Sequence, residues 1–302
     1  MTSTATILLI ISAFTHAGWN FLSKREYPTQ AFYLVTSVLG VLFLLPFLFY
    51  YAGLISLVPL PVWIMAGLSG FFLAVYYGCL AGAYQAGDIS IAYPLARSLP
   101  VFFVFVCTHA LGRGHAPGIY FLMGILLIVG GCILLPLKAF TNLQLSNYLN
   151  KCCMLAVLAA VAIAGYTLAD DTALRRLAAL PGKPISPVAS SLLYLFLEAT
   201  SCMLWQSLLV AVSKQERLSL AVVLKIHKRS AAVTGVGIFL TYAIVLVAMN
   251  YVSNISYVAA LRQLSIPIGA LMGIVLLKEP PFLPKSIGIG AIFFGLVLAA
   301  IN

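Results

Sequence analysis

Residues 83–100 read AYQAGDISIAYPLARSLP, and residues 248–267 read AMNYVSNISYVAALRQLSIP. Each stretch sets an arginine and a proline inside a long apolar run. Sliding the first by 166 positions places Asp88 on Asn254, Ser90 on Ser256 and Tyr76 on Tyr242, and brings Arg97 within one residue of Arg262. A guanidinium in hydrocarbon is expensive, and such groups mark a pathway or a buried pair. Here the same costly feature occurs once in each half of the chain.

Two further matches keep the same order. AGWNFL at residues 17–22 corresponds to AGYTLA at 164–169, and GILLIVGG at 124–131 corresponds to GIGAIFFG at 288–295. The offsets are 147, 166 and 164, so the second half holds about 19 extra residues between its first and third helices. One match between apolar segments is weak, but three in order make a repeat.

Composition sets the class. Hydrophobic residues make up 63% of the 302-residue chain and charged residues 8%, with a mean hydropathy of +1.08. A soluble domain carries about 25% charged residues. So much apolar surface has nowhere to go in water, and the chain reads as an integral membrane protein in contact with the lipid bilayer. The net charge of +10 does not point to nucleic acid, because Lys and Arg sit mostly in short loops and at helix ends, where they anchor and orient spans. The six cysteines show no metal-ligand spacing, and neither a metal nor a cofactor is expected.

A helical span needs roughly 20 apolar residues. The sequence predicts ten: 4–22, 31–52, 62–86, 89–111, 117–137, 152–170, 188–213, 231–251, 254–277 and 282–301. The first lacks a basic n-region and a small-residue cleavage site, which reads as a retained span rather than a signal peptide. Runs of this length exclude a barrel, whose strands alternate over about ten residues. The expected fold class is therefore all-α integral membrane, with ten transmembrane helices arranged as two five-helix repeats. The repeats cover residues 1–140 and 150–302. Five is odd, so the second repeat is inverted relative to the first. Inverted repeats of this kind are the mark of secondary transporters.

SAFTHAGWNFLSK (12–24), AYQAGDISIAYPLARSLP (83–100), AGYTLADDTALRR (164–176), YAIVLVAMN (242–250) and YVAALRQLSIPIGALMGIVLLKEP (257–280) together resemble the drug/metabolite transporter superfamily, in its EamA branch of ten-helix transporters. The resemblance covers nearly the whole chain. It implies an inverted five-plus-five fold, a central cavity, alternating access, and export or exchange of amino acids or other small metabolites. Relatives often carry an acid directly after the arginine of the ninth helix, where this chain has Gln263. They commonly have glycine where it has Asp171.

The candidate site residues follow from intramembrane polarity. In the first helix Ser12, His16, Trp19 and Ser23 share one face by their spacing, and Asn20 widens the stripe. Lipid does not satisfy such a stripe, so it points into the bundle or a wet cavity. His16 reads either as a cavity-lining hydrogen-bond group or as a packed histidine. In the fourth helix Ser90, Pro94 and Arg97 share a face, and Pro94 and Pro100 are expected to bend or break it. Arg97 either meets substrate or snorkels to the interface. In the ninth helix Ser256, Arg262, Gln263, Ser265 and Pro267 form a similar set. Arg262 keeps its proton and must face an anion, a carboxylate or water. It reads as a carboxylate-binding arginine with Gln263 as a hydrogen-bond partner, or as half of a structural ion pair. Tyr76, Tyr93 and Tyr242 are expected to line the site. Glu198, well inside the seventh span, is the candidate for proton coupling. Asp88 is expected to cap the fourth helix, Asp170 and Asp171 to form a solvated cluster, and Glu279 to be a helix-end loop residue.

These residues point to a secondary transporter of a carboxylate-bearing small molecule, with protons as a second partner through Glu198. The expected setting is a bacterial inner (plasma) membrane, and the expected assembly a monomer or weak homo-oligomer. A non-transporting partner subunit or receptor is the alternative. A membrane enzyme is the third, and the chain lacks HExxH, GxSxG and P-loop motifs. Orientation is contested. With the N-terminus inside, cytoplasmic loops hold four Lys and Arg against eleven outside. The positive-inside rule thus favours both termini outside, whereas the resemblance implies both inside.

Overall fold

The computed structural model describes residues 3–50, 52–110, 112, 118–179, 187–249 and 261–301. Among them, regular structure is entirely helical. The helices are α1 (Ser3–Arg25), α2 (Gln30–Tyr50), α3 (Ala52–Ile55), α4 (Leu60–Ala86), α5 (Ile89–Ala110), α6 (Ile119–Leu134), α7 (Lys151–Ala178), α8 (Pro187–Val212), α9 (Lys214–Val222), α10 (Lys228–Met249), α11 (Ser265–Leu276) and α12 (Leu283–Ile301). A 3₁₀ turn covers Leu145–Asn147, and a π-helical turn, Val223–His227, joins α9 to α10.

Seven of these helices are long and apolar enough to cross a membrane, and α6 and α11 are apolar but shorter. Large apolar side chains face outward, among them Phe49 and Leu126, each more than 70% exposed. That is the reverse of a soluble protein and suits a lipid solvent.

Two expectations about helix ends change. The segment 214–230, expected as a loop, is helical through α9 and the π turn. The Ser213 hydroxyl caps α9 by accepting from Glu216 N at 3.3 Å. In turn α7 continues to Ala178, two turns past the expected end of its span. Its apolar run stops near residue 169, but good helix formers carry the helix on.

The chain forms two compact units. One comprises residues 1–28, 79–161 and 236–302; the other comprises 29–78 and 162–235. Each draws a stretch from each half of the sequence.

In the first unit α6 and α12 pack antiparallel along glycines. A Cβ on Gly124 would lie 2.6 Å from Gly295 O, and one on Gly295 would lie 2.7 Å from Gly124 O. Gly131 and Gly288 make the same reciprocal contact at 2.6 and 2.7 Å. Small residues let membrane helices approach to backbone contact. The sequence match that pairs 124–131 with 288–295 turns the first of these contacts into the second.

The start of α5 is held by residues from the α11–α12 connection. Glu279 accepts from Ile89 N at 2.7 Å and from Ser90 N at 2.9 Å. A carboxylate at a helix N-terminus satisfies free donors and meets the positive end of the dipole. Lys278 stands in the left-handed region, at φ 58°, and this turn brings Glu279 back toward α5. Gly273 leaves the room, since a Cβ there would lie 2.6 Å from Glu279 Oε2. The buried Lys285 ammonium donates to Asp88 Oδ2 at 2.9 Å and to Ser90 Oγ at 3.1 Å. So Glu279, expected as a plain loop residue, is the cap of α5, and the Asp88 carboxylate serves an ion pair instead. At the end of α1, Lys24 Nζ donates to Tyr84 O and, at 2.6 Å, to Gly87 O.

The second unit contains α2, most of α4, the later part of α7, and α8 with α9. Glu216 accepts from Ala31 N at the start of α2 at 2.9 Å. Tyr33 stacks on Tyr77 at 4.7 Å. Gly67 O accepts from Ser201 Oγ and Trp205 Nε1 at 3.3 and 3.1 Å.

Candidate functional site

The polar stripe of α1 holds two aromatic rings together. His16 meets Trp19 edge-on, with centroids 5.0 Å apart and an interplanar angle of 82°. It also lies 6.2 Å from the ring of Tyr93 on α5. Tyr93 is fully buried, its ring laid against Gly269 of α11, where a Cβ would approach it to 2.6 Å. Arg97, one turn along α5 from Tyr93, acts electrostatically on both His16 and Tyr93, and so does Arg262. One arginine from each half of the sequence thus reaches the same pair of rings. The Tyr93 hydroxyl faces Ser265 and Arg97.

Several buried polar atoms here close no hydrogen bond of good geometry within the described residues: His16 Nε2, Trp19 Nε1, the Tyr93 hydroxyl, Gln263 Oε1 and Ser265 Oγ. Native interiors satisfy nearly all such atoms, so each exception asks for an explanation. Four of them, on His16, Trp19, Tyr93 and Ser265, belong to residues that neighbour one another.

The chain is interrupted beside Arg262. Leu264 N donates to Leu261 O at 3.1 Å and Ile266 N to Gln263 O at 3.0 Å, both tight three-residue turns, before α11 begins at Ser265. Pro267 has no N–H to offer the Gln263 carbonyl four residues back, so that carbonyl takes Ile266 instead. Pro94 and Pro100 behave differently: α5 runs unbroken through both. Ser98 Oγ donates to Pro94 O at 2.7 Å, and the surrounding helix holds the rest.

In the second unit, Ser69 Oγ lies 2.5 Å from Asp170 Oδ1 and 3.1 Å from Glu198 Oε1. Tyr194 also donates to Asp170 Oδ1, at 2.8 Å. A hydroxyl carries one hydrogen. It therefore donates to one carboxyl and needs a hydrogen from the other, so the arrangement is satisfied when the two acids hold one proton between them. The expected solvated Asp170–Asp171 cluster is corrected here. Adjacent residues point about 100° apart on a helix, so Asp170 turns inward while exposed Asp171 pairs with Arg175 at 2.8 Å. Among the described residues, what faces Glu198 across Ser69 is another carboxyl rather than an arginine.

Other expected site residues are placed elsewhere. Asn20 is fully buried; its Nδ2 donates to His16 O and its Oδ1 accepts from Tyr84, both at 2.9 Å. Ser90 belongs to the Lys285 cluster. Tyr76 lies in the second unit, in ring contact with Tyr77 at 5.0 Å and Tyr166 at 6.3 Å. Tyr242 is half-buried on α10, next to Thr241, whose carbonyl accepts from Ser12 Oγ at 3.1 Å. Ser256 lies outside the described residues. Ser69 was missed by sequence reasoning, which had no signal to separate it from other serines.

Apolar helices with apolar outward faces define a multi-pass membrane protein. Residues 3–137 match the model of the EamA-like transporter family, the branch that the motifs of the chain resemble. One solved crystal structure, 20% identical, aligns over 100% of this chain and 98% of its own at a TM-score of 0.52, a likeness of fold alone. No curated protein matches the chain.

Proposed function

We propose that the protein is a secondary transporter that exports or exchanges a small carboxylate-bearing metabolite, such as an amino acid or related acid, by alternating access. Arg97 and Arg262 hold the carboxylate, beside His16, Trp19, Tyr93 and Gln263. The observation that carries this reading is the convergence of two arginines, one from each half, on the rings of His16 and Tyr93, beside His16 Nε2 and Trp19 Nε1, which close no hydrogen bond among the described residues. A guanidinium kept among apolar helices is a functional group by default, and its planar fork suits a carboxylate.

Ten spans in two inverted repeats, residues 1–140 and 150–302, complete the proposal. The reciprocal glycine contacts of α6 and α12 support it, because the sequence match exchanges one contact for the other. So does the way each compact unit draws on both halves. The bacterial inner membrane is the proposed location, and a monomer or weak homo-oligomer the proposed assembly. Proton coupling through Glu198 is supported by its sharing of Ser69 with Asp170, a pair able to load and release one proton.

A metabolite screen of cells with and without the protein tests the reading. A transporter changes the distribution of at least one small acid across the membrane, and that change disappears in Arg262→Ala. A partner subunit or receptor leaves every distribution unchanged.

A further inference from the structure

The link between α8 and α10 is a basic helix that carries apolar side chains on its outward side. We propose that α9, the π turn and the start of α10 form a binding surface for anionic phospholipid. Lys214, Arg217, Lys225, Lys228 and Arg229 hold the phosphate headgroups, and Leu218, Leu224 and Ile226 lie against the acyl chains. The surface belongs to the second unit, and its occupation is independent of what the protein transports.

The first ground is position. The α8 helix is long and apolar enough to cross a membrane and ends at Val212. Ser213 then caps α9, which begins at Lys214. The α2 helix is also long and apolar enough to cross, and Glu216 accepts from Ala31 N at its start at 2.9 Å. The end of one span and the start of another thus lie at the level of α9. Span ends mark the boundary between hydrocarbon and headgroups. The helix is seated at that level. Leu220 packs against the buried cluster of Ala31, Leu34 and Val210, and Ser219 and Val223 are themselves buried.

The second ground is what the segment turns outward. Lys214, Arg217, Lys225, Lys228 and Arg229 are all exposed. So are Leu218, Leu224 and Ile226, each by more than half. Against these five cations, residues 213–230 hold one acid, Glu216, and its carboxylate is held at the N-terminus of α2. A helix that shows basic and apolar groups together lies in the membrane interface, apolar groups among the acyl chains and cations among the phosphates. Long basic side chains reach the headgroups while their carbons stay in the apolar layer. A soluble acidic partner would answer the charges and leave the leucines and isoleucine in water, whereas a lipid answers both. Each Lys or Arg close to anionic lipid strengthens binding about fivefold.

The test uses the purified full-length protein in neutral detergent, with bound lipid counted by native mass spectrometry. The probes are phosphatidylglycerol, phosphatidylcholine with the same chains, and glycerol phosphate, which carries the phosphate without the chains. Phosphatidylglycerol is expected to bind at least about tenfold more tightly than phosphatidylcholine, and glycerol phosphate should not displace it. Raised salt should weaken the complex. Lys225→Gln/Lys228→Gln/Arg229→Gln should weaken it roughly a hundredfold, the product of three changes of about fivefold each. Lys138→Gln/Lys151→Gln/Arg176→Gln removes the same charge from exposed positions elsewhere and should leave it unchanged. If the first triple variant fails to fold, Lys225→Gln and Arg229→Gln take its place singly, each expected to cost about fivefold. Equal binding of the two lipids, displacement by glycerol phosphate, or the same loss in both triple variants overturns the proposal. So does undiminished phosphatidylglycerol binding in the variants of Lys225, Lys228 and Arg229.

Discussion

Replacing Gly124 with alanine puts a methyl group 2.6 Å from the backbone oxygen of Gly295. Ordinary contact begins at 3.4 Å, so α6 and α12 must separate locally by about 0.8 Å. A backbone carbonyl cannot rotate away as a side chain can, and overpacking of this kind costs about 1–3 kcal/mol. Gly288→Ala, at the matched position in the second half, meets Gly131 O at 2.7 Å and should cost the same. The double variant should cost less than the sum by at least about 0.5 kcal/mol, because one separation relieves both contacts. Gly130→Ala is the control. It lies on the same helix with nothing within 4 Å of its Cβ, so the better helix former should be neutral or slightly stabilising. Denaturant unfolding of the purified protein in mild detergent measures all four. If Gly124→Ala costs no more than Gly130→Ala, or if the two costly changes simply add, the reciprocal packing is wrong.

Lys278→Gly should stabilise the protein by about 1 kcal/mol, since a left-handed backbone is unfavourable for a residue with a Cβ; a lower unfolding midpoint would contradict the strain at that turn. Glu198→Gln keeps the shape of the side chain and removes its titration. It should spare counterflow exchange and eliminate accumulation driven by a pH gradient, and Asp170→Asn should do likewise; unchanged gradient-driven uptake in both rules out the shared proton as the coupling device. A reporter fused to the C-terminus, active on one side of the membrane only, decides orientation: the charge count predicts an outside signal, and the family resemblance an inside one.

The helices were legible because hydrocarbon imposes a minimum apolar length, and the expected spans coincide with the observed helices to within a few residues at most described ends, the start of the 254–277 span lying outside the described residues. The departures have physical causes. Polar helix such as α9 has no hydropathy signal, so residues 214–222 read as a loop. Asp170 and Asp171 look alike in sequence, yet a single step around α7 separates a buried carboxyl from an exposed one. Glu279 was unreadable as a cap because the donors it serves, on Ile89 and Ser90, lie about 190 residues earlier. In the candidate site, residue types were legible and meetings were not. His16, Arg97 and Arg262 stood out as costly intramembrane groups, but nothing in the spacing of α5 told that Ser90 would turn to Lys285 while Tyr93 turned to His16. Asn20 shared the α1 stripe and was drawn into bonds with His16 O and Tyr84 instead.

Counterflow in sealed vesicles tests the central claim most directly. Purified wild-type protein, reconstituted with an unlabelled small acid found by the metabolite screen, should take up the labelled acid against its gradient. Arg97→Ala and Arg262→Ala should each reduce that uptake to the level of protein-free vesicles while still folding and inserting. Arg262→Lys should be nearly as damaging, because the planar fork is lost with the charge retained. Wild-type counterflow in Arg262→Ala would contradict the account, since no carboxylate would then depend on the arginine that the second half of the chain supplies.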